Sequence, residues 1–353
     1  MRPSRISCRT GRKADSVALP AARLARYVVA QALPPLLALY KDQGQITLRP
    51  SVLSHLATLL SSLSPSDESP SPSASTIPTI LFPPPALLSH DSNSSSPSPL
   101  EPFRDDLLSL LPSATRALTC RLAALSALSA LLRVPHFLSG DELEYCVSAM
   151  NDVLALPLDG DEYYDAALDA VVLVAASHPA LVERLVLPGL FAALPAGAPS
   201  SLSSSSHGAE ADRDAYRRAL EALAALAVCH PALFELVAMR LSARLEALVA
   251  LPADSVGGSA SEGQAAALYA HHVLTTLRAV LGDKVRRGDA DVPRYVERFV
   301  PGLLGMFLLP TTLEGRGKTV AEDVRLLVDA GRVVNLVLQR VDVECVLFSF
   351  LPT

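Results

Sequence analysis

The sequence has no tryptophan, and aromatic residues account for only 5% of its 353 residues although 50% are hydrophobic. The hydrophobic residues are therefore mostly Leu, Ala and Val. Leu and Ala are strong helix formers, whereas β-sheets favour aromatic and β-branched side chains. The shortage of aromatics thus favours an all-α fold. The large hydrophobic fraction excludes disorder of the whole chain, because it can bury a sizeable core.

An excess of basic residues is also absent, since 30 Lys and Arg stand against 36 Asp and Glu and give a net charge of -6. Proteins that bind nucleic acid usually present a positive field. We therefore expect no direct binding of nucleic acid by this chain.

Long apolar runs are missing as well. A membrane-spanning helix needs roughly 18 or more consecutive apolar residues, and no window of the sequence supplies them. The best candidate runs from Tyr27 to Tyr40, and the adjacent Pro34 and Pro35 are expected to break it. We expect no membrane span, and assign the hydrophobicity to helices buried on several sides.

The cysteines lack any paired spacing. Five of them are spread tens of residues apart, which argues against a disulfide framework or a zinc knuckle and fits a reducing compartment. They are Cys8, Cys120, Cys146, Cys229 and Cys345. We expect no metal site.

Three segments stand out by composition. The first 26 residues carry seven Arg or Lys against the single Asp15, which matches an organellar transit peptide, a disordered basic tail or a misplaced start. Residues 64–102 are dominated by Ser and Pro, which cannot form a regular helix. We therefore predict a basic disordered tail over 1–21, one or more helical hairpins over 22–63, a disordered insertion over 64–102, and an array of helical repeats over 103–353.

Helix starts can be identified from capping patterns. A hydroxyl residue three positions before Glu predicts a capping box, and proline is favoured in the first turn of a helix. Capping boxes are predicted at Ser139–Glu142, Ser259–Glu262 and Thr319–Glu322. Prolines stand near the beginning of apolar runs at Pro179, Pro231 and Pro293. About a dozen helices and no strand follow from these signals.

An internal repeat with an offset of 52 residues is the most specific feature of the sequence. It pairs Tyr164, Ala167-Leu168, Ala170 and His178-Pro179-Ala180-Leu181 with Tyr216, Ala219-Leu220, Ala222 and His230-Pro231-Ala232-Leu233. A partial third copy relates 182–190 to 296–303. Helical hairpin repeats of the HEAT or armadillo kind run to about 40–47 residues, and insertions lengthen them. The pattern predicts an α-solenoid, with a compact helical bundle as the alternative.

Sequence motifs that would indicate catalysis or ligand binding are weak. Gly315-Arg316-Gly317-Lys318-Thr319 resembles the end of a phosphate-binding loop, but Thr312 stands where the first glycine belongs, which leaves a flexible loop as the simpler interpretation. His178 and His230 precede helix starts, where a turn or capping role is expected.

Two further groupings are expected to be structural. Adjacent residues such as His271 and His272, or Cys229 and His230, diverge on a helix instead of converging on one ion. The acidic cluster at Asp159, Asp161, Glu162 and Asp165 suits a helix N-terminus. We predict no catalytic residue and no cofactor.

Several runs resemble a known family. They are Phe137-Leu138-Ser139-Gly140-Asp141-Glu142, Asn151-Asp152-Val153-Leu154, Asp165-Ala166-Ala167-Leu168-Asp169-Ala170, His178-Pro179 and Leu187-Pro188-Gly189-Leu190-Phe191. These runs are similar to fungal members of the MMS-nineteen (MET-eighteen) nucleotide excision repair family, which are HEAT-repeat proteins. The similarity covers about 22–350, and family members are far longer, so the chain is expected to correspond to a middle portion.

The resemblance implies a non-enzymatic adaptor of the cytosolic iron-sulfur assembly targeting complex, present in the cytoplasm and nucleus. Such an adaptor would act with a β-propeller subunit and a small acidic subunit. It would bring apo-proteins of DNA repair, replication and transcription, such as helicases and polymerases, to the assembly machinery. An importin-like HEAT protein, which would bind a small GTPase, is the alternative, and an organellar location follows if the basic N-terminus is a transit peptide.

Partner-binding residues are expected on the second helices of the hairpins, because stacked repeats leave a ridge of these helices exposed. Charged residues recur there at equivalent repeat positions. The candidates are Glu183, Arg184, Arg240, Arg244, Glu297 and Arg298. Charge pairs of this kind also occur on helix faces that are only exposed to solvent and bind no partner.

Overall fold

The computed structural model describes residues 18–63, 100–134, 137–156, 161–195, 206–250, 260–289, 292, 295, 301–305, 320 and 323–338. All regular secondary structure in these ranges is helical, so the predicted all-α class of HEAT-like helical hairpins is confirmed. The tail over 1–17, the insertion over 64–99 and the loop over 315–319 lie outside the described residues.

Twelve α-helices are defined within the described ranges. They are α1 (Ala18–Lys41), α2 (Arg49–Leu63), α3 (Arg104–Ala114), α4 (Arg121–Leu132), α5 (Gly140–Leu154), α6 (Asp161–Ser177), α7 (Pro179–Leu185), α8 (Leu187–Ala192), α9 (Ser206–Cys229), α10 (Pro231–Val249), α11 (Ala260–Arg287) and α12 (Val324–Leu338). Short 3-10 helices occupy Gln43–Leu48 and Glu101–Phe103. The chain divides into two compact units, unit 1 over 1–173 and unit 2 over 174–353, and the division falls inside α6.

The edges of two predicted segments differ slightly from the structure. Helix α1 begins at Ala18, within the tail predicted over 1–21. Leu100 is fully buried and its carbonyl accepts a hydrogen bond from the amide of Phe103, so packed chain is present before the predicted end of the insertion at 102.

The break expected at Pro34 and Pro35 is wrong, because α1 continues through both residues. Proline removes a helical hydrogen bond and normally kinks or ends a helix. Both prolines lie on the exposed side of α1, between the buried Leu33 and Leu37, so the carbonyls they leave without an amide partner can be hydrated. Of the helices that the structure describes, none combines the length and the apolarity needed to cross a bilayer.

Unit 1 is built around α4. This helix packs against α2 and α3, while α1 packs on α2 and α3 also contacts α5. Apolar side chains are buried along a wide face of α4, including Leu125, Leu128 and Leu131, each with no exposed surface, whereas Leu122 is exposed. A wide apolar face of this kind must be covered by several neighbouring helices. The high hydrophobic fraction of the chain is therefore explained by helices enclosed by their neighbours.

The start of α5 confirms the capping box predicted at Ser139. The Glu142 carboxylate accepts hydrogen bonds from the backbone amide and the hydroxyl of Ser139, both at 2.7 Å. Arg104 of α3 donates to the same carboxylate, with its Nε 2.8 Å from Oε1, and its guanidinium lies 5.7 Å from the Phe137 ring. The hydrogen bond from Arg104 is the main reason that the pKa of Glu142 falls to about 2. Glu142 thus both caps the start of α5 and links α5 to α3.

Unit 2 stacks its helices in the order of a repeat array. Helix α9 packs against α10 and against α11, α10 also contacts α11, and α11 packs against α12. Equivalent repeat positions are buried in both units, since Tyr164 and Ala170 of unit 1, and Tyr216 and Ala222 of unit 2, are all at most 9% exposed. Each hairpin thus covers the apolar face of the next, as expected for stacked repeats.

The capping box gives a test of the fold. Replacing Glu142 by Gln should destabilise the protein by about 1 kcal/mol at pH 7, because both the cap and the ion pair with Arg104 lose their negative charge. The folded pKa lies below the ordinary value of 4.5. The stabilisation from Glu142 is therefore complete above about pH 4.5 and is lost as the pH falls from there through about 2. Urea unfolding followed by far-UV circular dichroism at several pH values would measure this.

The matched control is Asp141→Asn, which removes a charge from the same helical turn and leaves the capping box intact. We expect the wild type and the Glu142→Gln variant to converge in stability as the solution is acidified, and the control to lie close to wild type. A gap between wild type and Glu142→Gln that stays constant down to pH 3 would contradict the assignment.

Candidate functional site

Four of the six residues predicted to bind partners lie on described helices of unit 2, and their role stays a prediction. Glu183 and Arg184 are exposed on α7, and Arg240 is exposed on α10. Arg244 follows one turn later and is half-buried. The remaining two candidates, Glu297 and Arg298, lie outside the described residues.

Arg240 is joined to α8 through an aromatic ring. Its guanidinium carbon lies 5.6 Å from the centroid of the Phe191 ring, so the charged group and the ring together form a contact between α8 and α10. An exposed contact of this type contributes about 0.5–1 kcal/mol. Phe191 could not be predicted as a neighbour of Arg240, because nothing in the local sequence links residue 191 to residue 240.

Arg244 faces the phenol of Tyr269 on α11. Burial raises the pKa of Tyr269 to about 12, and the positive charge of Arg244 opposes that increase. The Tyr269 ring also packs edge-on against Tyr216, with centroids 4.9 Å apart. Arg240 of α10 therefore rests on an aromatic ring, which restricts where its charge can move, and Arg244 lies near enough to Tyr269 to influence the pKa of its phenol.

A second exposed face of α10 borders a cavity of about 250 Å³. Adjacent residues of an α-helix project about 100° apart, so this face is separate from the one that carries Arg240 and Arg244. The cavity lies among α10, α11, the helical residues 301–305 and α12. Residues lining it include Met239, Ala243, Glu246, Leu277, Gly302 and Val333. No sequence motif marks it, because it is formed by ordinary helical positions that meet only in the fold.

The histidines at the helix starts differ from each other. The backbone amide of Ala232 donates to Nδ1 of His230 at 3.2 Å, which confirms the predicted capping role. His178 occupies the equivalent turn but makes no capping bond, because its Nδ1 lies 2.9 Å from the hydroxyl of Ser177. The neighbouring serine therefore takes up the nitrogen that would otherwise cap the helix.

His271 and His272 diverge, as expected for adjacent helical residues. The Nδ1 atom of His272 lies 3.3 Å from the hydroxyl of Tyr216 on α9. Burial lowers the pKa of His272, and the nearby positive groups lower it further. Nδ1 of His271 instead lies 3.1 Å from a carboxylate oxygen of Asp329, within ion-pair distance but without hydrogen-bond alignment.

Asp329 is the buried carboxylate that joins α11 to α12. Its side chain is 5% exposed and accepts hydrogen bonds from Arg278 at 2.6 Å and Arg332 at 3.0 Å. A buried carboxylate needs such partners, since an isolated one would be very costly. The arrangement is structural, and the described part of the chain holds no cluster of three or more His, Cys, Asp or Glu side chains that could bind a metal ion.

The described cysteines are free thiols and are poorly placed for reaction. Burial raises the pKa of Cys146 to about 12 and also raises that of Cys229. A thiol with a raised pKa has little of the reactive thiolate at neutral pH. In the predicted acidic cluster, Glu162 and Asp165 are exposed on α6, and the side chains of Asp159 and Asp161 lie outside the described residues.

Comparison with known families bears on the same region. Residues 219–346 match a family model described as MMS19_C, the RNAPII transcription regulator C-terminal. Residues 219–346 belong to the MMS19 family. The predicted family is therefore confirmed for this segment, and it is a family of transcription- and repair-related adaptors. No curated protein matches the chain.

The MMS19 segment contains most of the features described above. It runs from within α9 through α12, and so includes Arg240, Arg244, the cavity and Asp329, while α7 and α8 precede it. The matched model is described as the C-terminal part of the family, and the expected position of this chain within the longer family members stays a prediction.

Asp329 provides a test of how α12 is held. The Asp329→Asn variant should lose about 2 kcal/mol of stability, because it leaves Arg278 and Arg332 without a negative partner beside a buried amide. Urea unfolding at pH 7 would measure the loss, and hydrogen exchange should show α12 opening first. Asp283→Asn is the control, since Asp283 is 25% exposed, against 5% for Asp329, and pairs with Arg286 and Arg287 of its own helix. Equal stability of the two variants would show that Asp329 is not the main link.

Proposed function

We propose that the chain is a non-enzymatic adaptor of the cytosolic iron-sulfur assembly targeting complex, which helps to deliver clusters to apo-proteins of DNA repair, replication and transcription. The observation that carries the proposal is the MMS19 segment at 219–346, because the family is one of adaptors. An adaptor needs a surface that is exposed yet fixed in shape. The second helices of unit 2 supply one.

The charges on this surface are held by the fold instead of being free in solvent. Arg240 lies against Phe191 and Arg244 near Tyr269. Arginines of this kind lose less conformational entropy on binding than freely rotating ones. They suit carboxylate groups of an acidic protein surface, which agrees with the small acidic subunit implied by the resemblance.

The partners in this proposal are proteins. They are assembly subunits, including a β-propeller protein, and apo iron-sulfur clients such as helicases and polymerases. We propose a cytoplasmic and nuclear location, and an organellar location as the alternative if the basic N-terminus directs import. Fluorescence microscopy of the full chain, with and without its first 17 residues, would distinguish the two.

Affinity capture from cell extract with the full chain tests the proposed function. Mass spectrometry should recover iron-sulfur assembly subunits or iron-sulfur proteins with the wild type. A double variant, Arg240→Glu with Arg244→Glu, should recover at least about tenfold less, because reversed charges repel an acidic partner. Circular dichroism would confirm that the variant remains helical.

The matched control is Arg213→Glu with Arg217→Glu. These arginines are also one turn apart, and both are exposed, but they lie on α9, a first helix. We expect this variant to recover partners as the wild type does. Recovery of a small GTPase with transport cargo, lost on adding GTP, would favour the importin-like alternative, and recovery of no iron-sulfur component by the wild type would refute the proposal.

A further inference from the structure

The cavity beside α10 is sized for one side chain. Its volume of about 250 Å³ is slightly below the roughly 300–1,000 Å³ of typical small-molecule sites. The walls are mostly apolar, with Leu277 and Val333 buried at the base. A cavity of this kind excludes water from an apolar group that enters it. It offers no set of polar groups for a nucleotide or a cofactor.

The mouth of the cavity is open and adaptable. Met239 is 43% exposed although it lines the cavity, and Ala243, one turn later, is also exposed. A flexible, polarisable methionine can repack around different apolar groups, and such residues are common on binding surfaces. The entrance is therefore suited to receiving an anchor from outside.

The mouth also carries a negative charge. Glu246 lines the cavity and is exposed, and none of the ion pairs among the described residues involves it. Its Oε1 lies 3.5 Å from the position that a Cβ on Gly302 would occupy, so the carboxylate is at the rim between α10 and the helical residues 301–305. The arginines of α10 face the other way, towards Phe191 and Tyr269. A basic group of a binding partner would complement the negative charge of Glu246 at the rim.

Ser242, which lines the cavity, has a side-chain hydroxyl without a hydrogen-bond partner. Its hydroxyl oxygen is buried. Thr275 and Thr276 on α11 instead bond back to the carbonyls one turn earlier, the usual arrangement within helices. A buried hydroxyl without a partner is costly, and a polar group of an incoming segment could satisfy it after rotation of the serine side chain.

We propose that the cavity binds a protein segment through one Leu, Met or Phe side chain, with a neighbouring Lys or Arg of that segment paired to Glu246. The inference rests on the proposed adaptor function and specifies one chemical element of the partner. The segment is apolar at its anchor and basic beside it, which distinguishes it from the acidic surface expected at Arg240 and Arg244. Helix α10 thus has two binding faces in this proposal, one for acidic groups at Arg240 and Arg244 and one for basic groups at Glu246.

Methyl NMR on the full chain tests the proposal directly. The sequence has four methionines, of which Met239 lines the cavity and Met150, fully buried in unit 1, serves as an internal reference. The probe is the synthetic peptide acetyl-Ser-Ala-Lys-Ala-Leu-Ala-Ala-Lys-Ser-amide. It should shift the Met239 methyl signal in a saturable manner and leave the Met150 signal unchanged.

Changes to the peptide separate the two parts of the proposal. Replacing its leucine by alanine should weaken binding at least about tenfold, because the apolar anchor is lost. Replacing both of its lysines by glutamate should weaken binding several-fold at low salt, and the Glu246→Lys variant should reverse that preference. Equal binding of the leucine and alanine peptides, or an unchanged preference in Glu246→Lys, would overturn the inference.

A matched pair of protein variants tests the cavity itself. Ala243→Leu fills it from the exposed mouth, whereas Ala247→Leu makes the same change one turn later on an exposed position that does not line it. We expect loss of peptide binding only in Ala243→Leu. Peptide binding that survives in Ala243→Leu would overturn the inference, and the exposed Glu246→Lys variant decides the matter if Ala243→Leu does not fold.

The experiments can reject the cavity inference and the proposed adaptor function independently of each other. Capture of iron-sulfur components that is unaffected by Ala243→Leu, together with absence of any Met239 shift, would remove the cavity inference and leave the adaptor function standing. A peptide that binds as expected, while the wild type captures no iron-sulfur component from extract, would remove the adaptor function and leave the cavity as a site for basic, apolar segments.

Discussion

A helical hairpin has an apolar face that it cannot bury alone, and this constraint organises both units of the molecule. Helix α11 illustrates it most clearly, because α9, α10 and α12 all pack against it. Its Tyr269 is the largest of the side chains that are fully buried in the described residues. The hydrophobic driving force scales with the apolar area removed from water, so most of the stability of unit 2 depends on how closely the next hairpin covers the last.

The first and second helices of the stack meet their neighbours differently, and the cavity results from that difference. Helices α11 and α12 are held together by Asp329, whose two arginine partners come one from each helix. Between α10 and the helical residues 301–305, Gly302 lies at the edge of the cavity near the Glu246 carboxylate and has no side chain to occupy that space.

The sequence predicted the features that depend on neighbouring residues. The capping box at Ser139 and Glu142, the proline starts of α7 and α10, and the cap formed by His230 all involve residues within three positions of one another. The repeat of 52 residues also indicated the class of fold correctly, because equivalent buried positions impose the same residue types. These signals are local or periodic, which is why they can be seen without a structure.

The interactions that the sequence did not reveal are those between residues far apart in the chain. Nothing in the sequence shows that Arg104 reaches Glu142, or that Arg240 stacks on Phe191. Their partners are set by the packing of helices, and each of these charged residues alone has many acceptable environments. Pro34 and Pro35 failed as a predicted break for a related reason, because the cost of proline in a helix depends on whether the carbonyls it leaves can be hydrated.

The scarcity of aromatic residues takes on a structural meaning in unit 2. The Tyr216 ring on α9 meets Tyr269 on α11, and Phe234 on α10 packs edge-on against Tyr295, with Lys284 of α11 4.6 Å from the Phe234 ring centroid. Aromatic contacts of this kind have preferred geometries, unlike contacts between leucines. In a core of interchangeable Leu and Ala, neighbouring hairpins could slide past one another at little cost. The few aromatics, placed between hairpins, therefore fix the register in which the hairpins stack.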